Sequence, residues 1–165
     1  MSKVITASNM DFIMDNTYDI EKSLLYERIR SKGISSVEFA RVKSDGLLFV
    51  EAKESFPDPT NSSLENVLKY ESQIDGVCEK FIHSLNMFSS IVVGVADEQF
   101  CTDFILPEKT SIVFVLVIKN YDLKGCRRIK SKLAEKLPSY LKEIWVPQIF
   151  VINHQTAIKR ELAVA

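Results

Sequence analysis

Glycine and cysteine are scarce in this chain, and no long apolar run occurs. The five glycines are scattered, so no glycine-rich loop is available to cradle a phosphate. Neither a nucleophile elbow nor an HExxH pattern is present, and together these absences argue against nucleotide-binding and acyl-transfer enzymes. The three cysteines, Cys78, Cys101 and Cys126, lie more than twenty residues apart and form no CxxC pair. An odd number at that spacing argues for reduced thiols in a cytoplasmic compartment and against a zinc site. His83 and His154 have no third ligand in sequence reach and read as structural. The longest apolar stretch, Ile112–Ile118, is far too short to span a bilayer. The opening MSKVITASNMDF lacks the apolar core of a signal peptide. The expectation is therefore a cytoplasmic protein with no membrane partner. A formal charge of −1 gives no bulk attraction to nucleic acid, so any such binding must use a local basic patch.

What is present is ordinary globular material. Hydrophobic residues make up 46% of the 165 and charged residues 26%, which leaves no room for a disordered tract. No repeat or linker-like shift divides the chain, so one domain over 1–165 is expected. Lys3–Ala7 and Phe12–Met14 read as short strands. Ile20, Leu24, Leu25 and Ile29 recur at helical spacing over Asp19–Arg30, with Lys32-Gly33 as the stop. The segments ISSVEFARVK and LLFVEAKES flank Asp45-Gly46, a strong signal for a tight hairpin over residues 34–54. After a Pro-containing loop, Ser62 and Glu65 have the spacing of a capping box. A long apolar stripe from Leu64 to Val92 then predicts about seven helical turns. Ser111–Lys119 is apolar on both faces, as a covered central strand is. A helix over Leu123–Leu137, stopped by Pro138, and a strand over Val146–Ile152 complete a βαβ unit. The predicted fold is α/β, a mixed central sheet with an antiparallel hairpin and a C-terminal βαβ unit, with helices on both faces.

The hairpin carries the chemistry. With Asp45 and Gly46 as the two turn residues, Ser44 pairs with Leu47, Ala40 faces Glu51 and Glu38 faces Lys53. Alternation then puts Glu38, Ala40, Val42, Phe49, Glu51 and Lys53 on one face. Val37, Phe39, Arg41, Leu48, Val50 and Ala52 make up the other, the face suited to a packed helix. Two carboxylates held together repel unless a cation lies between them, and hard oxygen donors favour Mg²⁺ or Mn²⁺. An adjacent lysine can hold an attacking water or stabilise charge developing on a phosphoryl group.

An acidic residue on one strand, a tight turn and Glu-x-Lys on the next, framed by a short and a long helix, resembles the PD-(D/E)xK nuclease superfamily. The resemblance spans residues 19 to 120. It implies a restriction-endonuclease-like core in which Glu38 and Glu51 are metal-binding acids and Lys53 is the motif lysine. The carbonyl of Ala52 joins the metal ligands. So does an acid of the first helix, Glu21 or Glu27, with Glu21 preferred. Gln73 is the candidate for a supporting glutamine on the long helix. The first strand of the family's three-strand meander is left for the N-terminal segment to supply.

Lys124, Arg128, Lys132 and Lys136 form a basic stripe able to track a phosphate backbone, although such stripes are commonly the solvated face of a helix. The resulting expectation is a metal-dependent nuclease hydrolysing phosphodiester bonds, DNA before RNA, with room for a homo-oligomer. The alternative is a catalytically inactive nuclease-like binding or regulatory module.

Overall fold

The structure, a computed structural model, describes residues 3–44 and 46–165. Its strands in chain order are β1 (Val4–Ala7), β2 (Met10–Ile13), β3 (Thr17–Tyr18), β4 (Phe39–Lys43), β5 (Gly46–Lys53), β6 (Ser111–Ile118) and β7 (Gln148–Asn153). Its helices are α1 (Leu24–Ile29), α2 (Leu64–Val92), α3 (Leu123–Lys136), α4 (Ser139–Trp145) and α5 (His154–Lys159). Strands β1 and β2 form a separate antiparallel hairpin, and β3 to β7 form a five-stranded sheet in that order. The pairs β3–β4 and β4–β5 are antiparallel, while β5–β6 and β6–β7 are parallel. The mixed sheet, its hairpin and the adjacent parallel pair of the βαβ unit are therefore as the sequence predicts.

Both faces of the sheet are covered. On one, Phe49, Phe114, Leu116 and Ile118 pack against Ile74, Val77, Phe81, Leu85 and Phe88 of α2 and Ile129 and Leu133 of α3. Phe81 stacks on Phe114 with ring centroids 4.6 Å apart. On the other, Phe39, Val50, Val113, Val115 and Val117 pack against Met10 and Phe12 of β2 and Ala157 of α5. β7 lies at the outer edge, and there Lys130 and Arg160 stand over the half-buried ring of Phe150.

Several details differ from expectation. Lys43 pairs with Gly46, so Gly46 belongs to the strand and not to the turn, and Ser44 takes a left-handed φ of 53°. Asp45 itself lies outside the described residues. Ala40 consequently faces Phe49 rather than Glu51. The register is displaced by an even step, which leaves the side chains of residues 39–42 and 48–53 on their expected faces. Val37 is the exception. A bend at Glu38 sends it to the α2 side, where its N–H donates to Ser84 Oγ at 2.9 Å. The long helices α2 and α3 cover the side carrying Glu51, while the side expected to receive a helix is covered by the N-terminal hairpin together with the short helix α5.

The predicted Asp19–Arg30 helix is split into a 3-10 turn at Ile20–Lys22 and α1, because Ser23 leaves helical geometry to cap α1. Leu64, Val67 and Leu68, counted in the apolar stripe of α2, are exposed, and burial begins at Ile74. The capping box is absent. Ser63, not Ser62, is the cap and accepts from the Asn66 N–H at 3.3 Å, while Glu65 pairs with Lys69 at 2.7 Å. Ser63→Ala should therefore cost about 1 kcal/mol in urea unfolding, and Ser62→Ala less than about 0.5 kcal/mol. Equal losses would restore the predicted box.

Candidate functional site

The C-terminal end of β5 runs past the start of β4 and beneath α2. Glu51 there projects to the α2 side and is wholly inaccessible to solvent (0% exposed). Its Oε1 accepts from Lys80 Nζ at 2.7 Å and lies 3.5 Å from Lys53 Nζ. Its Oε2 is buried and has no hydrogen-bond partner among the described residues. Burial raises the Glu51 pKa above the usual carboxylate value, with Lys80 and then Lys53 pulling against it.

Glu38 reaches the same place from the bend before β4, where its N–H donates to the Val50 carbonyl at 3.0 Å. Two side chains of α2 hold the approach to it. His83 Nδ1 accepts from the Ser35 N–H at 3.1 Å, and Ser84 Oγ accepts from that of Val37. Burial, then the charge of Glu51, then the charge and hydrogen bond of Glu21 push the Glu38 pKa up to about 8. Glu21 comes from the 3-10 turn, whose Lys22 N–H donates to the capping Asp19 carboxylate. The helix after it is fixed by Glu98, which accepts from Tyr18 Oη and from the N–H groups of Leu24 and Leu25. Burial works to lower the Lys80 pKa, but Glu51, Glu38 and Glu21 together outweigh it and hold the ammonium charged.

The structure thus brings together Glu21, Glu38, Glu51 and Lys53, and adds Lys80, to which sequence reasoning assigned no part. The signal for Lys80 was weak, since a lysine at the margin of an apolar helical stripe normally extends to solvent. The Ala52 carbonyl is near as well, but it accepts from Ser8 Oγ at 3.0 Å. Ser8 and Asn9 turn the β1–β2 hairpin with left-handed backbones, and Asn9 Nδ2 donates to Glu54 at 2.8 Å. Gln73 stands apart. It is exposed in a groove with Ser55, Phe56 and Pro57, about two helical turns from Lys80.

The basic stripe is partly neutralised. Lys132 lies 3.3 Å from Glu71, and Lys136 lies 3.1 Å from Glu71 and 3.4 Å from Asp75. Lys124 and Arg128 line a recess with Asp58. Cys78 and Cys126 are buried, which pushes both thiols up to about 11 and leaves them inert as nucleophiles.

Carboxylate and carbonyl oxygens are the donor chemistry that Mg²⁺ and Mn²⁺ take, and Glu21, Glu38 and Glu51 supply carboxylates here. In the arrangement seen, no three Asp, Glu, His or Cys side chains among the described residues converge closely enough to hold an ion. None of the described helices is long and apolar enough to cross a membrane. No family model, curated protein or solved structure matches the chain.

Glu38 and Glu51 both hold their protons more tightly when folded than a free carboxylate does. Between pH 4.5 and about 8 the folded state therefore binds more protons than the unfolded one, and stability falls as pH rises through that window. Urea unfolding from pH 5 to pH 8 should show that decline. Glu38→Gln should flatten it and add roughly 1–3 kcal/mol at pH 8. An undiminished slope in the variant would locate the decline elsewhere.

Proposed function

We propose that this chain is a metal-dependent nuclease of the PD-(D/E)xK kind, hydrolysing phosphodiester bonds of nucleic acid, with DNA preferred to RNA. The observation that carries the reading is the meeting of Glu21, Glu38, Glu51 and Lys53 from three separated segments, with Glu51 Oε2 buried and unpartnered among the described residues. The order of elements supports it. α1 precedes the β4–β5 hairpin and α2 follows it, and β3 pairs with β4 in the sheet, although in the chain β3 comes before α1.

Glu38 and Glu51 would hold Mg²⁺ or Mn²⁺, with Glu21 and the Ala52 carbonyl in support. When bound, such an ion lowers the pKa of a ligated water and polarises the phosphoryl oxygens. Lys53, a little over a quarter exposed and 3.5 Å from Glu51 Oε1, would be the ammonium that orients that water or stabilises charge on the phosphoryl group. Within the basic stripe, Lys124 and Arg128 are the members offered to a phosphate backbone, since Lys132 and Lys136 are paired with acids of α2.

A second reading, an inactive module retaining the scaffold, is favoured by one observation: Lys80 already neutralises Glu51 at 2.7 Å. Calorimetry with Mn²⁺ and cleavage assays on duplex DNA and single-stranded RNA separate the two. Under the nuclease reading, Glu51→Gln weakens Mn²⁺ binding with the fold intact. Lys53→Ala keeps binding but slows cleavage by roughly 10²–10³. Absence of saturable Mn²⁺ binding up to millimolar concentration in the wild type would favour the inactive module.

A further inference from the structure

The carboxylate cluster already contains a cation. Lys80 reaches it from α2, an element separate from the three that supply the acids, and Glu51, Glu38 and Glu21 all act on its ammonium. It is the closer of the two lysines to Glu51, at 2.7 Å against 3.5 Å for Lys53, and both approach the same oxygen, Oε1. The other oxygen, Oε2, is fully enclosed and has no partner among the described residues. One side of this carboxylate is thus saturated and the other is bare.

We infer that Lys80 is a tethered counter-ion occupying the cation position of the cluster, and that a divalent ion enters only as the Lys80 ammonium swings out. This deepens the nuclease reading and rests on it. Oε2 is enclosed, so an ion reaching Glu51 from solvent would have to meet Oε1. Lys80 Nζ is 2.7 Å from the same atom, so ion and ammonium would be held a few ångströms apart and repel. Glu51 is locked by burial and cannot turn away. Lys80 can, since its head ends a flexible four-carbon stem and its side chain is 26% exposed, which leaves a path to solvent. Its place among the acids also accounts for the absence of three converged carboxylates. Repulsion between carboxylates that would otherwise draw in an ion is answered from within the chain.

The test is Mn²⁺ titration calorimetry on wild type, Lys80→Met and Lys80→Arg, with thermal unfolding in EDTA and in Mn²⁺. Methionine keeps the apolar stem and removes the charge. Lys80→Met should bind Mn²⁺ tighter than wild type by about tenfold or more, and Lys80→Arg no tighter than wild type. Lys80→Met should also melt lower than wild type in EDTA and recover a larger part of its Tm with Mn²⁺. Should Lys80→Met fold poorly without metal, the double variant with Glu51→Gln removes both charges. It should fold in EDTA and lack the Mn²⁺-dependent gain.

Affinity in Lys80→Met equal to or weaker than wild type overturns the inference. Equal binding together with cleavage by the wild type would leave the nuclease reading standing alone. Binding by Lys80→Met where the wild type shows none would uphold the counter-ion and count against turnover in the natural chain.

Discussion

Burial of the Glu51 carboxylate constrains much of what surrounds it. An ionised carboxylate withdrawn from water costs several kcal/mol even after the protein relaxes, and removing one partner of a buried pair leaves that cost uncompensated. The cost is offset here by two ammoniums from different elements, Lys53 two residues along the same strand and Lys80 on α2. The second contact is possible only if α2 crosses β5 at one place and with one rotation about its axis. The stacked pair Phe81–Phe114 and the Ser84 contact to Val37 follow from the same placement, one and four residues along from Lys80. The apolar stripe of α2 and the ionic contact at Lys80 agree on one placement of the helix on the sheet.

Much of this frame could be read in advance. Alternation of apolar residues marks a face whatever the pairing, so Glu38, Glu51 and Lys53 were assigned to one side although the turn was placed a residue late. The displacement was an even number of residues, and period-two geometry is blind to that difference. The unbroken apolar run of β6 and the helix-stop-strand pattern after it left little choice but a covered strand with a parallel neighbour.

What escaped was tertiary. No local pattern tells that Ser84 will accept from Val37 and bend the chain at Glu38, or that Lys80 will reach inward instead of outward. Ser62 and Ser63 are equally good caps in isolation, and the choice falls to the residue from which the loop can enter the helix. Gln73 had the right chemistry and the right helix, yet stands about two turns away, because the stripe that positions α2 begins to bury only at Ile74. The four-residue rhythm of the basic stripe was real. Its meaning changed once Glu71 and Asp75 of α2 lay opposite Lys132 and Lys136.

The sheet's two rims differ in a way that bears on how the chain behaves at high concentration. One rim is β3, two residues long, too short to template another strand. The other is β7, six residues long and rich in isoleucine, valine and phenylalanine, the composition that invites edge-to-edge association between molecules. Pro147 precedes it and cannot donate to a ladder. Along its length the main deterrents are the cations poised over Phe150, Lys130 from α3 and Arg160 from beyond α5. Two like charges brought face to face across such a rim repel at low ionic strength and are screened as salt rises. Association along β7 should therefore respond to salt through Lys130 and Arg160, two side chains on segments other than those that carry the carboxylate cluster.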